Sequence, residues 1–247
     1  MKKILFRYDA YESLGMGHAY RCIQLIEHLK ECECTVALST KSDLSFELLR
    51  EKKIPYIIIK DNEEVIKYIK DNSIFIVVND ILNTDKDYII ALKNMGCRVI
   101  NLEDEGNGAI YADAVISELY EKEKNTENQY FGKNYFCLQD DFLCAVKNLY
   151  SKNVKKIALL FGCTDPAYLT EKTISSLEFV DNLEEIRISV IVGPGNAHLE
   201  HILEIKSKNR YANNIEIIRG GNLQAILNEI DFAVCSQGRT MFELAHK

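Results

Sequence analysis

The stretch "LGMGHAYRCIQLIEHL", residues 14–29, sets His18 directly behind two glycines and three residues before Arg21. An imidazole in that place is a candidate general base, because a neutral ring can take a proton from water or a hydroxyl at physiological pH. The apolar run "KILFRYD" precedes the stretch, so a strand hands over to a helix here and His18 falls in the helix's first turn. Backbone amides and the positive helix end disfavour an imidazolium at such a site and favour the proton-accepting form. Two other readings stay open. The glycines serve equally in a purely structural turn that needs positive φ, with His18 bonding only to its own loop. A phosphate-binding loop is the third reading, although the pattern G-x-G-x-x-G asks for a glycine where Tyr20 stands.

Ligands of open parallel sheets bind beyond the carboxyl ends of the strands, so the residues just after each apolar run carry the rest of the chemistry. Those positions are Asp9 after the first run, Asn79 and Asp80 after "FIVV", and Glu103 to Gly106 after "VINL". Later come "FGCTDP" (161–166), "GPGN" (193–196) and "SQGRT" (236–240). In "FGCTDP", Gly162, Thr164 and Asp165 either offer helix-terminal amides to a phosphate or merely cap a helix whose first turn holds Pro166. In "SQGRT", Ser236, Gly238 and Thr240 surround another helix start with Arg239 beside them. Glu243 lies one turn further on, either pairing with Arg239 or accepting hydrogen bonds from a ribose diol. His198 and His201 have helical spacing but no third ligand nearby, so they read as residues of a solvated face.

Strand-length apolar runs alternate with helix-period segments along the chain, which implies parallel βαβ units and an α/β fold. Six strands and at least four helices are expected before residue 120, and "EKEKNTENQYFGKNY" (121–135) reads as lying beyond the first sheet. The alternation restarts at Lys155 and supplies four more strands. The domains expected are 1–149 and 150–247, the second incomplete because the chain stops inside a helix with no C-terminal cap.

Composition narrows the classes of function. The 247 residues are 47% hydrophobic and 27% charged, as in an ordinary folded domain pair, and the net charge is -7 without a lysine or arginine block. That balance argues against nucleic-acid or anionic-membrane partners. Neither an 18-residue apolar span nor a signal-peptide profile is present, so a cytoplasmic location is expected. Of eight cysteines, Cys22, Cys97, Cys137, Cys144 and Cys235 fall in apolar segments and read as small buried hydrophobes. Cys32-x-Cys34 lacks metal-site spacing.

Taken in order, these motifs resemble one family. "FRYDAYESLGMGHAYR", "VVND", "VINLED", "YFGKNYFCLQDDF", "LLFGCTDP" and "CSQGRTMFEL" are similar to the motif series of the pseudaminic-acid-pathway sugar-nucleotide hydrolases (PseG) and the spore-coat polysaccharide proteins (SpsG). The resemblance implies a GT-B-like architecture, two Rossmann-like parallel-sheet domains with a cleft between them, as in MurG. It implies a UDP- or CMP-linked amino sugar as substrate, inverting hydrolysis without metal or cofactor, and other sugar-nucleotide pathway enzymes as associates. Carried over by motif, His18 is the general base, with Asp9 or Asp80 orienting it or the sugar. Arg7, Gly15, Gly17, Arg21 and Asn79 would lie near the sugar. Gly162, Thr164 and Asp165 would lie near the diphosphate, Ser236, Gly238, Arg239 and Thr240 near phosphate or sugar, and Glu243 on the ribose. The chain departs from the family where D-H-Y becomes Asp80-Ile81-Leu82, where G-G-T-D becomes "GCTD", and where L-R-x-E-F becomes "LQDDF". A GT-B glycosyltransferase and a non-catalytic sugar-nucleotide-binding protein are the alternatives.

Overall fold

A computed structural model describes residues 1–124, 126–143 and 153–246. Cys144 and the expected boundary at 149/150 lie outside the described residues. Two compact units result, Met1–Cys137 and Leu138–Lys247.

In the first unit the order is β1 (Lys2–Tyr8), α1 (Gly17–His28), β2 (Cys32–Ser39), α2 (Phe46–Glu51), β3 (Tyr56–Ile59), α3 (Asn62–Asn72), β4 (Ile76–Asp80), α4 (Lys86–Asn94), β5 (Arg98–Leu102), β6 (Ala114–Ser117) and β7 (Gln129–Phe131). All seven strands run parallel in the order β3-β2-β1-β4-β5-β6-β7. Chain order therefore reverses between β1 and β4, and at their carboxyl ends Arg7 is level with Asn79 and Tyr8 with Asp80. That reversal point is where open α/β sheets make room for ligands.

Local sequence explains the elements. β1 buries Ile4, Leu5 and Phe6 in succession, as a central strand covered on both faces must. Helices α3 and α4 start on side-chain caps: Asp61 accepts the Glu64 amide, and Asp85 those of Asp87 and Tyr88. Gly96, at φ +82°, follows the end of α4, a backbone conformation in which glycine carries no side-chain penalty.

The seventh strand corrects the sequence expectation that residues 121–135 lie beyond the sheet. Gln129, Tyr130 and Phe131 pair with Val115, Ile116 and Ser117. Two aromatic residues suffice for a three-residue edge strand, and the charged residues around it keep that edge from pairing with another chain.

The second unit contains α5 (Asp140–Leu143), β8 (Lys156–Leu160), α6 (Leu169–Ser176), β9 (Arg187–Val192), α7 (Leu199–Lys208), β10 (Ile215–Arg219), α8 (Leu223–Leu227), β11 (Phe232–Cys235) and α9 (Arg239–Ala245). Its parallel sheet has the order β10-β9-β8-β11, again reversing beside the unit's first strand. Phe142 of α5 is buried with Ala158, Leu160, Ile191 and Leu227, which is why residues before 144 pack with this unit. Cys22, Cys34 and Cys97 are buried free thiols, but Cys137 and Cys235 are only half-buried. For Cys235 the reason is its place on an edge strand.

A buried polar layer ties the loops after β4 and β5 together. Asn79 donates to Asn101 (2.9 Å) and accepts from the Tyr88 hydroxyl (3.0 Å). Asn101 donates to Asp104 at 2.6 Å, and Asp104 also accepts the Thr84 and Gly106 amides, each at 2.9 Å, and the Thr84 hydroxyl at 2.5 Å. Removing one member leaves several buried donors unanswered, which is costlier than replacing the whole layer by apolar groups. Asp104→Ala is expected to destabilise the first unit by about 3 kcal/mol. Urea unfolding checks this, and a change near zero would show that the loops do not depend on the layer.

Candidate active site

Gly15, at φ +81°, turns the chain after β1, and its amide and that of Leu14 both donate to the Tyr11 carbonyl. Gly17 then opens α1, whose first turn carries no capping side chain and no acidic residue. His18 is the second residue of that helix. Its Nδ1 lies 2.6 Å from Asp80 Oδ1, with the His18 side chain 12% exposed and that of Asp80 fully buried. A carboxylate accepts only, so Nδ1 carries a hydrogen, and in the neutral ring Nε2 is then the nitrogen with the lone pair. No hydrogen bond engages Nε2 among the described residues.

One helical turn later, Arg21 reaches the same carboxylate with two donors, Nε to Oδ2 at 2.8 Å and Nη2 to Oδ1 at 2.6 Å. Its Nη1 donates to Glu103 at 3.1 Å and Glu118 at 2.9 Å. The Cys22 thiol adds a weak donor to Asp80 Oδ2 at 3.5 Å. All four charged groups are buried.

Burial alone would raise the pKa of Asp80, but Arg21 and His18 outweigh it and lower the value from 3.8 to about 2. Burial likewise works against the Arg21 charge, and Asp80, Glu118 and Glu103 more than offset it, raising its pKa. Glu103 is raised, by burial first, against the opposing pull of Arg21. Its backbone is left-handed at φ +53°, unusual for a residue other than glycine, and its Oε2 is buried without a hydrogen bond. Burial, with Asp80 next, pushes the Cys22 thiol well above its ordinary value and keeps it protonated.

Other expected site residues of this unit have different surroundings. Asp9 accepts from the Ser39 amide (2.9 Å) and the Ser42 hydroxyl (2.7 Å), so it fastens the loop after β2. Asn79 is wholly buried in the polar layer. The Arg7 guanidinium stacks over the Tyr88 ring at 4.8 Å, with Nη1 buried and unbonded. Arg21 is taken up by carboxylates of its own chain. Glu118 did not figure among the sequence candidates, although it directly follows β6 and the strand-end criterion that found Glu103 would have found it too.

In the second unit Asp165 lies four residues ahead of α6, which begins at Leu169 and leaves Pro166 outside the helix. Its Oδ1 accepts the Leu169 amide at 2.9 Å and its Oδ2 the Thr170 amide at 2.8 Å, so the carboxylate caps α6 and occupies the amides a phosphate would use. Thr164 is buried, while Gly162 is left-handed at φ +88° with open space where a Cβ would stand. Gly193 of "GPGN" lies so close to the Cys163 backbone that a Cβ would meet its carbonyl oxygen at 2.3 Å. Ser236, Arg239 and Thr240 are half-buried beside Gly238, which precedes α9, and Glu243 is buried. His198 and His201 are not simply solvated. His198 packs on the Tyr168 ring at 4.5 Å, and His201 Nδ1 lies 3.0 Å from Glu171 Oε2, because α6 and α7 pack side by side.

Among the described residues no group of three or more His, Cys, Asp or Glu is arranged to hold a metal ion, and no helix is long and apolar enough to cross a membrane.

Two parallel sheets with these strand orders define the class: the chain has the GT-B fold. It is similar to MurG of Acinetobacter baumannii (TM-score 0.65, 11% identity), covering 98% of this chain and 75% of that one. Similar too are the UDP co-structure of Staphylococcus aureus MnaA (0.63, 12%, covering 99% and 77%) and a glycosyltransferase from Rickettsia africae (0.61, 15%, covering 99% and 77%). In sequence, the chain is 27% identical over 259 residues to MJ1062 of Methanocaldococcus jannaschii, a protein described as uncharacterized. The match takes in 98% of this chain and 53% of that one, so the chain spans about half the length of this curated relative. No family model matches the chain.

The buried ion pair makes a prediction about acid. Because the folded pKa of Asp80 is depressed, its stabilising contribution is complete above about pH 4 and is lost as pH falls through about 2. A depression of this size is worth roughly 2 kcal/mol. Asp80→Asn is therefore expected to be less stable than wild type at pH 7, with the difference narrowing toward pH 2 to 3. Denaturant unfolding at both ends of that range checks it, and a difference independent of pH would contradict the assignment.

Proposed function

We propose that this chain hydrolyses a nucleotide-linked sugar, with a UDP-linked amino sugar the favoured substrate. His18 Nε2 takes a proton from water as the water oxygen forms a bond to the anomeric carbon. The bond from that carbon to the diphosphate oxygen breaks, and its electron pair leaves with the nucleoside diphosphate. The products are the free sugar, with its anomeric configuration inverted, and the nucleoside diphosphate. The setting is surface or spore-coat polysaccharide synthesis.

One observation carries this reading, the 2.6 Å contact that commits the His18 Nδ1 proton to a buried carboxylate. It leaves Nε2 as the proton-accepting atom of a ring that is 12% exposed at the switch point of the sheet. Asp80 and Arg21 are positioning residues in this scheme, and Asp9 acts on the loop beside them rather than on the sugar. Gly15 and Gly17 bring backbone near the ligand, and Arg7, with an unbonded Nη1, is the residue suited to an anionic or hydroxyl-rich group. The nucleotide falls to the second unit. There Gly162 and Thr164 flank the diphosphate, Ser236, Gly238, Arg239 and Thr240 approach phosphate or sugar, and Glu243 takes the ribose diol. Asp165 is assigned to the α6 cap instead of to the phosphates.

The motif resemblance to the pseudaminic-pathway hydrolases supports water as the nucleophile, and the fold shared with UDP-bound MnaA supports a uridine nucleotide. A second reading, transfer of the sugar to an acceptor, is favoured by the fold shared with the Rickettsia africae glycosyltransferase.

Removing a general base typically costs about two to four orders of magnitude in rate. His18→Ala is expected to lower nucleoside diphosphate release from the best donor of a sugar-nucleotide panel by at least about 100-fold. Turnover within a few-fold of wild type would sink His18 as the base. Consumption of donor only when a glycan acceptor is added would replace hydrolysis by transfer.

A further inference from the structure

We infer that Glu118 is a positioning residue for His18, acting through Arg21 and Asp80. The inference rests on the reading of His18 as base only for what the arrangement accomplishes; the geometry stands without it.

Asp80 Oδ1 receives two donors at 2.6 Å, His18 Nδ1 and Arg21 Nη2, and the orientation of the carboxylate decides whether both can be met. Arg21 fixes that orientation by gripping both oxygens. A guanidinium fork is planar, so holding its third nitrogen fixes the other two. Nη1 is that third nitrogen, and its two acceptors are Glu103 Oε1 at 3.1 Å and Glu118 Oε1 at 2.9 Å. Glu103 Oε1 also accepts the Glu118 amide at 2.7 Å and the Leu119 amide at 3.4 Å. Glu118 is in turn held at its other oxygen by the Cys137 amide at 2.7 Å. A continuous path thus runs from the backbone at Cys137 through Glu118, Arg21 and Asp80 to the His18 ring.

Charge works in the same direction. The Arg21 charge opposes the field by which Asp80 holds the Nδ1 proton. Glu118 draws part of the guanidinium charge to the opposite side, so Asp80 presents more of its own charge to the imidazole. With that hold weakened, His18 is free to place its proton on Nε2, the atom the proposed reaction needs bare.

The test is the ¹⁵N spectrum of the His18 side chain in the full chain, which distinguishes the two neutral tautomers directly. Wild type is expected to show the Nδ1–H form. Glu118→Gln keeps the shape and, with its one oxygen on the Cys137 amide, removes both the charge and the acceptor that faces Arg21 Nη1, and it is expected to shift His18 to a mixture containing Nε2–H. Glu105→Gln, which alters an exposed carboxylate paired with Lys122, is expected to leave the tautomer unchanged. A His18 spectrum in Glu118→Gln identical to wild type overturns the inference. If that variant lacks a dispersed amide spectrum, Arg21→Lys decides, since a lysine cannot grip both oxygens and hold Glu118 together. Its tautomer must shift in the same sense, and no shift overturns the inference. A shift in a chain that turns over no sugar nucleotide upholds the positioning role while removing hydrolysis.

Discussion

One buried guanidinium governs the first unit. Arg21 stands in α1, and its partners Asp80, Glu103 and Glu118 stand at the carboxyl ends of β4, β5 and β6. A charge in that position is tolerable only with near-complete pairing, since its desolvation amounts to several kcal/mol per ion. The helix cannot move along the sheet without opening the pairs, so the contact that makes the interior electrostatically acceptable also sets the place of His18 one turn earlier. Stability and site geometry are the same set of bonds here. That coupling explains why a surface-like sequence feature, an arginine three residues after a histidine, is among the most buried polar groups of the unit.

The two faces of the first sheet divide the remaining polar residues at its carboxyl edge. Asn79, Asn101, Tyr88, Thr84 and Asp104 satisfy one another and brace the loops after β4 and β5. Asp80, the next residue after Asn79, serves the ionic cluster instead. Alternation along a strand is enough to send neighbours to different tasks. The second unit shows a comparable division between "FGCTDP" and "GPGN". Asp165 closes the α6 terminus, and Gly193 allows the two loops to meet backbone to backbone.

Much of this was readable from the sequence because it depends on period and punctuation. All ten expected strands are present, close to their expected limits, and the strand-end rule led to Asp80 and Glu103. The seventh strand of the first sheet was not readable, since a three-residue edge strand among charges carries almost no periodic signal. Asp9 and Asn79 illustrate a second limit. Their types and positions suit a ligand, but a partner distant in sequence, Ser42 of a loop for one and Asn101 of β5 for the other, claims each of them. Arg21 belongs with them, for its three carboxylate partners lie 59, 82 and 97 residues away in sequence. His18 differs in that its Nδ1 partner leaves the other ring nitrogen for chemistry.

In the proposed hydrolysis, water activated at His18 Nε2 attacks the anomeric carbon of a nucleotide-linked sugar. The most direct measurement is turnover of the best donor in ¹⁸O-labelled water without any acceptor, with the products read by mass spectrometry and phosphorus NMR. Attack at the anomeric carbon is expected to leave one ¹⁸O atom at the anomeric hydroxyl of the released sugar and none in the nucleoside diphosphate. Label in the nucleotide phosphate would place the attack at phosphorus and contradict it, as would a donor that stays intact until an acceptor is supplied.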